Sequence, residues 1–132
     1  MKHSKLEDCC LTIEQAKELQ ALGINMDNCL MEFCSLKDLG DYHLLPKHKY
    51  ENNFIRWKYI PTLTNTEILE MLPKEIDGYK LTFVYDYFRN GDDKYYIGYL
   101  KTYSAPLKEL ESTLLRNSLF GMIKWLKTNK LM

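Results

Sequence analysis

No stretch of this chain approaches the roughly 18 consecutive apolar residues that a membrane helix requires. Lys2 and Lys5 are followed at once by Glu7 and Asp8 instead of an apolar run, so the N-terminus does not read as a secretory signal. Net charge is absent as well. Eighteen basic residues balance 18 acidic ones, so no global field draws the protein to nucleic acid or anionic lipid. There is no Gly-x-Ser-x-Gly elbow, no His-Glu-x-x-His and no glycine-rich phosphate loop. Low-complexity segments and a domain linker are also missing. These absences predict a cytoplasmic protein without a membrane segment, folded as one domain over residues 1–132.

What is present is globular. The 132 residues (15.7 kDa) suffice for one core and are too few for two independent ones, with 45% hydrophobic and 27% charged side chains. Four cysteines could form two bridges, but a cytosolic setting predicts reduced thiols. The excess is in aromatics: 10 Tyr, 5 Phe and 2 Trp.

Hydrophobic periodicity and punctuation give the element order. Thr12 and Gln15 form a capping-box pattern ahead of Ile13, Ala16, Leu19 and Leu22, and Gly23 stands where a left-handed residue would end that helix. Cys29–Leu36 and Tyr42–Leu45 read as a hairpin around a turn at Lys37–Asp41, closed by Pro46. Lys47–Thr62 lacks clear periodicity and leaves room for a short helical turn. Thr64 and Glu67 repeat the capping box, with Ile68, Leu69 and Leu72 as the apolar stripe and Pro73 as the stop. Asp77-Gly78 marks a turn, Tyr79–Phe88 is the strongest strand, Asn90-Gly91 is a hairpin signal, and Lys94–Tyr103 returns. A long final helix is expected from Pro106 to about Thr128, with Glu109 and Glu111 at its positive end and Lys124, Lys127 and Lys130 at its negative end. The fold class is therefore α+β. An antiparallel sheet is built from two hairpins in the order α-β-β-α-β-β-α, with the long C-terminal helix packed on it.

The segments IEQAKELQALGIN, YHLLPK, IPTLTNTEILEMLPKEI and MIKWLKTNK together resemble small proteins encoded by Bacteroides-type gut bacteria and their prophages or mobile elements. The likeness spans most of the chain, and the passage Thr62–Ile76 with Leu72-Pro73-Lys74 is its most specific part. It implies a genomic context only. No activity and no functional residue come with it.

Zinc is disfavoured by spacing. A structural site pairs thiolates as Cys-x₂₋₄-Cys on a tight knuckle. On a strand, Cys29 and Cys34 would face opposite sides about 16 Å apart, and vicinal Cys9-Cys10 is an awkward bidentate pair. His3, His43 and His48 do not repair this, so the cysteines read as small buried hydrophobes. A Cys34–His43 dyad across the first hairpin is geometrically open, but nothing marks Cys34 as activated. The carboxylate pairs Asp92-Asp93 and Glu67/Glu70 lie where a turn and a helix N-terminus want acids anyway. No catalytic residue, metal or cofactor is implied.

Two surfaces remain. The segment Lys47–Tyr59 places Lys47, Lys49, Arg56 and Lys58 among Tyr50, Phe54 and Trp57, with only Glu51 opposing, a local charge of about +3. Lys47, Lys49, Arg56, Trp57 and Lys58 could neutralise phosphates and stack bases of a single strand. The alternative for this segment is a connector whose rings plug the core. The second hairpin carries the larger aromatic load. Leu81, Phe83, Tyr85 and Tyr87 share one side, and the loop's parity decides whether Tyr95, Ile97 and Tyr99 join them. Either parity leaves aromatic or aliphatic residues on both faces, and three helices are few to cover both. Tyr85, Tyr87, Tyr95, Tyr96 and Tyr99 are thus the candidate partner surface, since tyrosine suits a half-wet interface. The expected activity is binding to a protein partner or to a second copy. The alternative is a nucleic-acid-binding accessory factor of a mobile element.

Overall fold

The computed structural model describes residues 6–36, 41–48, 57–87 and 93–132, with the side chains of Leu6, Glu7, Leu36, Trp57 and Tyr87 outside that description. The Lys37–Gly40 and Asn90-Gly91 turns therefore lie outside the described residues.

After a short 3₁₀ turn at Leu6–Cys9, helix α1 spans Ile13–Ala21. Its capping box is reciprocal: the Gln15 amide donates to Thr12 Oγ1 at 3.1 Å, and the Thr12 amide donates to Gln15 Oε1 at 3.0 Å. Gly23, at φ 93°, ends the helix in the left-handed region. Helix α2, Asn65–Met71, repeats the device through Thr64 and Glu67, and Leu72 turns extended ahead of Pro73.

The expected hairpins both form, and each acquires further strands. Strand β1 (Met31–Leu36) pairs antiparallel with β2 (His43–Pro46) on one side and with β3 (Trp57–Thr62) on the other, giving the order β2-β1-β3. Strand β3 arises from the stretch without clear periodicity. It is an edge strand, so Pro61 is tolerated there, and its pairing with β1 supplies the order that its sequence does not announce. The second sheet is a four-stranded antiparallel meander of β4 (Glu75–Ile76), β5 (Tyr79–Tyr87), β6 (Asp93–Leu100) and β7 (Lys108–Ser112). Asp77 and Gly78, at φ 50° and 86°, make the tight β4–β5 turn, where both central residues need positive φ. The single sheet expected from two hairpins is thus two sheets.

The final helix is also shorter than its sequence implies. Helix α3 spans Leu115–Thr128, and residues 108–112, expected in its first turns, form β7 instead. The segment KELES alternates, with Leu110 half-buried between exposed Glu109 and Glu111, and the β6 edge offers it a ladder from Tyr99↔Lys108 to Tyr95↔Ser112. Tertiary pairing overrides the helix propensity of Glu and Leu. Glu109 and Glu111 therefore do not serve a helix dipole, and Glu111 instead meets Lys94 at 3.0 Å.

One core joins these parts. Ser118, Leu119, Met122, Ile123 and Leu126 form the buried stripe of α3. The four apolar members meet Leu11, Ala16, Leu19, Ile68, Leu72, Ile97 and Tyr99 in one cluster. Each large apolar side chain buried there contributes about 1.5–3 kcal/mol relative to exposure. Helix α3 lies over β6 and β7 and touches α2, while α1 contacts β3. Among the described residues, no helix is long and apolar enough to cross a membrane.

Candidate functional site

The pairing Tyr85↔Tyr95, Phe83↔Ile97 and Leu81↔Tyr99 settles the parity of the second hairpin: all six side chains share one face. Their environments then diverge along that face. Ile97 and Tyr99 lie at 0% exposure beneath α3. The Tyr99 hydroxyl donates to the Pro73 carbonyl at 2.8 Å, and burial pushes its phenol from 10.0 up to about 12. Helix α3 covers β6 and β7, so β5 sits outboard of it. Tyr79 and Leu81 still pack on the core, but Phe83 and Tyr85 stand 43% and 47% exposed. Tyr95 bridges the two zones, half-buried, with its ring centroid 4.9 Å from Tyr85 and 6.3 Å from Phe83.

On the opposite face Val84 is 45% exposed and pairs with half-buried Tyr96, flanked by exposed Lys80 and Asp86. Phe83, Val84 and Tyr85 are therefore three consecutive large apolar residues in water, covering both faces of one strand. Of the five tyrosines named from the sequence, Tyr85 is exposed and Tyr95 and Tyr96 are half-buried. The side chain of Tyr87 lies outside the described residues. Tyr99 must be removed from the surface set, because the helix over β6 makes it the largest fully buried side chain of the core. Phe83 and Val84 belong in its place. The sequence signal for them was the uninterrupted apolar triplet in a strand that should alternate.

The edge of β5 is distinctive as well. Strand β4 pairs only with Tyr79 and Lys80, and the Leu81 amide donates to the Lys74 carbonyl at 3.0 Å. Beyond Leu81, β6 is the only ladder partner of β5 among the described residues.

The first sheet contains a cluster that sequence reasoning passed over. Glu32, at 3% exposure, accepts from the His48 amide at 2.8 Å, and its Oε1 shares a hydrogen bond with His48 Nδ1 at 2.7 Å. The His48 ring stacks on Tyr59 at 3.8 Å, and Tyr59 lies opposite Cys34. A single acid inside the apolar run MEFCSL was the available clue. The arrangement anchors the chain after β2 to the sheet. It does not activate a nucleophile: Cys34 does face His43 in the ladder, but burial first and Glu32 second push its thiol up, and His43 is exposed. Burial likewise raises Cys29, and raises Cys10 to about 11. None of the four cysteines is in a disulfide, and among the described residues no group of three His, Cys, Asp or Glu side chains could hold a metal.

The basic segment is only partly described. Lys49 and Arg56 lie outside the described residues, as does the side chain of Trp57. Lys47 and Lys58 are exposed, but the Lys47 ammonium donates to the Asp27 carbonyl and its amide donates to Leu30. Open clefts lie elsewhere among the described residues. One of about 240 Å³ lies between Asn28, Cys29, Glu67 and Met71, and one of about 270 Å³ between Asp8, Thr12, Phe33 and Arg116. In the second, Arg116 already meets Asp8 at 3.7 Å. The first brings Cys29 near Glu67, but that carboxylate accepts from the Thr64 and Leu30 amides, and burial raises the thiol, so the pair is not an activated dyad.

Comparison of the chain with protein-family models, with curated proteins and with solved structures finds no match.

Proposed function

We propose that this protein acts by binding rather than catalysis, engaging a protein partner through the overhanging β5–β6 hairpin. The observation that carries the reading is the exposed triplet Phe83-Val84-Tyr85, close to half in water beside a fully packed core. Contiguous apolar surface of this kind, with aromatic anchors and a polar rim, is the composition of interaction sites. Lys80, Asp86, Lys94 and Glu111 supply that rim. The nucleic-acid alternative draws less support, because Lys47 is tethered to Asp27 and the chain carries no net positive charge. The likeness to proteins of Bacteroides-type bacteria and their mobile elements remains the proposed genomic setting.

The test is the double substitution Phe83→Ser and Tyr85→Ser, followed by thermal unfolding and by recovery of complexes from the native host. The expected result is a melting temperature within a few degrees of the parent and loss of an assembly that the parent retains. A collapsed melting temperature, or retention of every assembly, overturns the reading.

A further inference from the structure

We infer that residues 101–107, the loop between β6 and β7, form a second interaction surface, which offers the Tyr103 ring to an apolar pocket rimmed by carboxylates on a protein partner. The loop lies at the end of the meander away from Tyr87 and Asp93, and its role is independent of the hairpin's exposed triplet. Backbone conformation gives the first reason. The Ser104 amide donates to the Lys101 carbonyl at 3.1 Å, closing a turn in which Tyr103 adopts φ 62°. Glycine or asparagine suits that place, since a larger side chain crowds the left-handed backbone. The other described non-glycine residues at positive φ have local reasons. Asp77 shapes the β4–β5 turn, and Lys130 caps α3 so that the Leu131 amide reaches the Leu126 carbonyl at 2.8 Å. Tyr103 is 104% exposed, so its ring recovers nothing for the fold in return. Strain without a structural return marks a residue kept for what it meets outside the chain.

Pre-organisation gives the second reason. The Leu107 amide donates to the Tyr99 carbonyl at 3.0 Å, Pro106 fixes one torsion, and the Lys101 ammonium sits 5.7 Å above the Tyr79 ring. A loop already ordered gives up little further entropy when it docks. Every residue from Lys101 to Leu107 is exposed, with Tyr103 the largest side chain. Tyrosine is a frequent interface anchor, because its ring fills an apolar pocket while its hydroxyl stays in water. The charge around it specifies the pocket's rim. Lys101–Lys108 holds two lysines and no carboxylate, and Thr102 and Ser104 flank the ring with hydroxyls. The complement is a few carboxylates. Exposed Asp77, in the turn that Lys101 overlies, and exposed Glu109 dilute the positive field, so a protein fits better than the polyphosphate of a nucleic acid.

Two measurements on the full chain test this. In Tyr103→Gly, Tm should stay within about 3 °C of the parent, because the turn accepts glycine and no packing is lost. A larger fall shows that the ring serves the fold and overturns the inference. The second is photo-cross-linking in the native host with Tyr103→benzoylphenylalanine. Expected is a protein adduct whose cross-linked peptide carries Asp or Glu, unaffected by Phe83→Ser with Tyr85→Ser. Charge reversal by Lys101→Glu should weaken it about tenfold or more, because like charges then oppose; Lys108→Glu serves if the first variant lowers Tm. No adduct above that of the same probe at exposed Gln20, or one indifferent to both charge reversals, overturns the inference. So does loss of the adduct with the hairpin variant, or an adduct to nucleic acid.

Discussion

Tyr85 and Tyr99 lie on the same face of one hairpin, and replacing each with alanine should have very different consequences. Tyr99 is fully buried, and its hydroxyl satisfies the Pro73 carbonyl. Truncating a buried aromatic costs about 3–5 kcal/mol, and stranding its hydrogen-bond partner adds about 1 kcal/mol. Tyr85 is half in water and gives up chiefly its tilted contact with Tyr95, worth about 0.5–1 kcal/mol. With an unfolding entropy of about 2.1 cal/mol/K per residue, a chain of this length shifts by about 3–4 °C per kcal/mol. Tyr99→Ala should therefore lower Tm by roughly 15–20 °C and Tyr85→Ala by no more than about 4 °C. Urea titration monitored by circular dichroism supplies the same contrast in free energy, with m unchanged for both if the unfolded state is common. Equal losses from the two substitutions would refute the division of this face into core and surface.

Three further outcomes follow from local geometry. His48→Ala should destabilise the first sheet by about 1.5–3 kcal/mol in urea denaturation, because it takes a donor from buried Glu32; no loss would mean that the carboxylate does not depend on the ring. Glu67→Ala should cost more than Thr12→Ala, which is worth about 1 kcal/mol, since Glu67 accepts from the Thr64 amide and also from the Leu30 amide at 3.2 Å. Stability should also fall in alkali. Burial holds Cys10 and Tyr99 neutral in the fold, at about 11 and about 12 against ordinary values of 9.0 and 10.0. Both folded values are raised, so their contribution is fully present below about pH 9 and is lost as pH climbs towards 12. The Tyr99→Phe variant should lose less stability than the parent between about pH 10 and 12; an identical loss would clear Tyr99 of the effect.

Much of the chain announces itself locally, and what it hides is tertiary. Thr12–Gln15 and Thr64–Glu67 are complete capping boxes within four residues, so both helix starts were legible without knowledge of the fold. The paired strands of both hairpins were legible from alternation and turn residues. Strand β7 was not, because KELES is helix-prone in isolation and becomes a strand only when the β6 edge accepts it. Strand β3 likewise depends on β1. Within the candidate site, richness in tyrosine could be read from the residues, but the partition between Tyr85 and Tyr99 depended on where α3 lies. Periodicity within the hairpin carries no information about that. Glu32 shows the converse case: one acid in an apolar strand is a local irregularity whose partner, His48, is found only after the chain folds back.

The central claim is that the hairpin exposes Phe83, Val84 and Tyr85 while burying Tyr99, and hydroxyl-radical footprinting read by mass spectrometry measures that directly. In dilute solution Phe83 and Tyr85 should be labelled at rates between that of fully exposed Tyr103 and that of Tyr99, which should be unlabelled. Labelling of Tyr99 in the dilute folded chain, or protection of Phe83 and Tyr85 equal to that of Tyr99, would contradict the account.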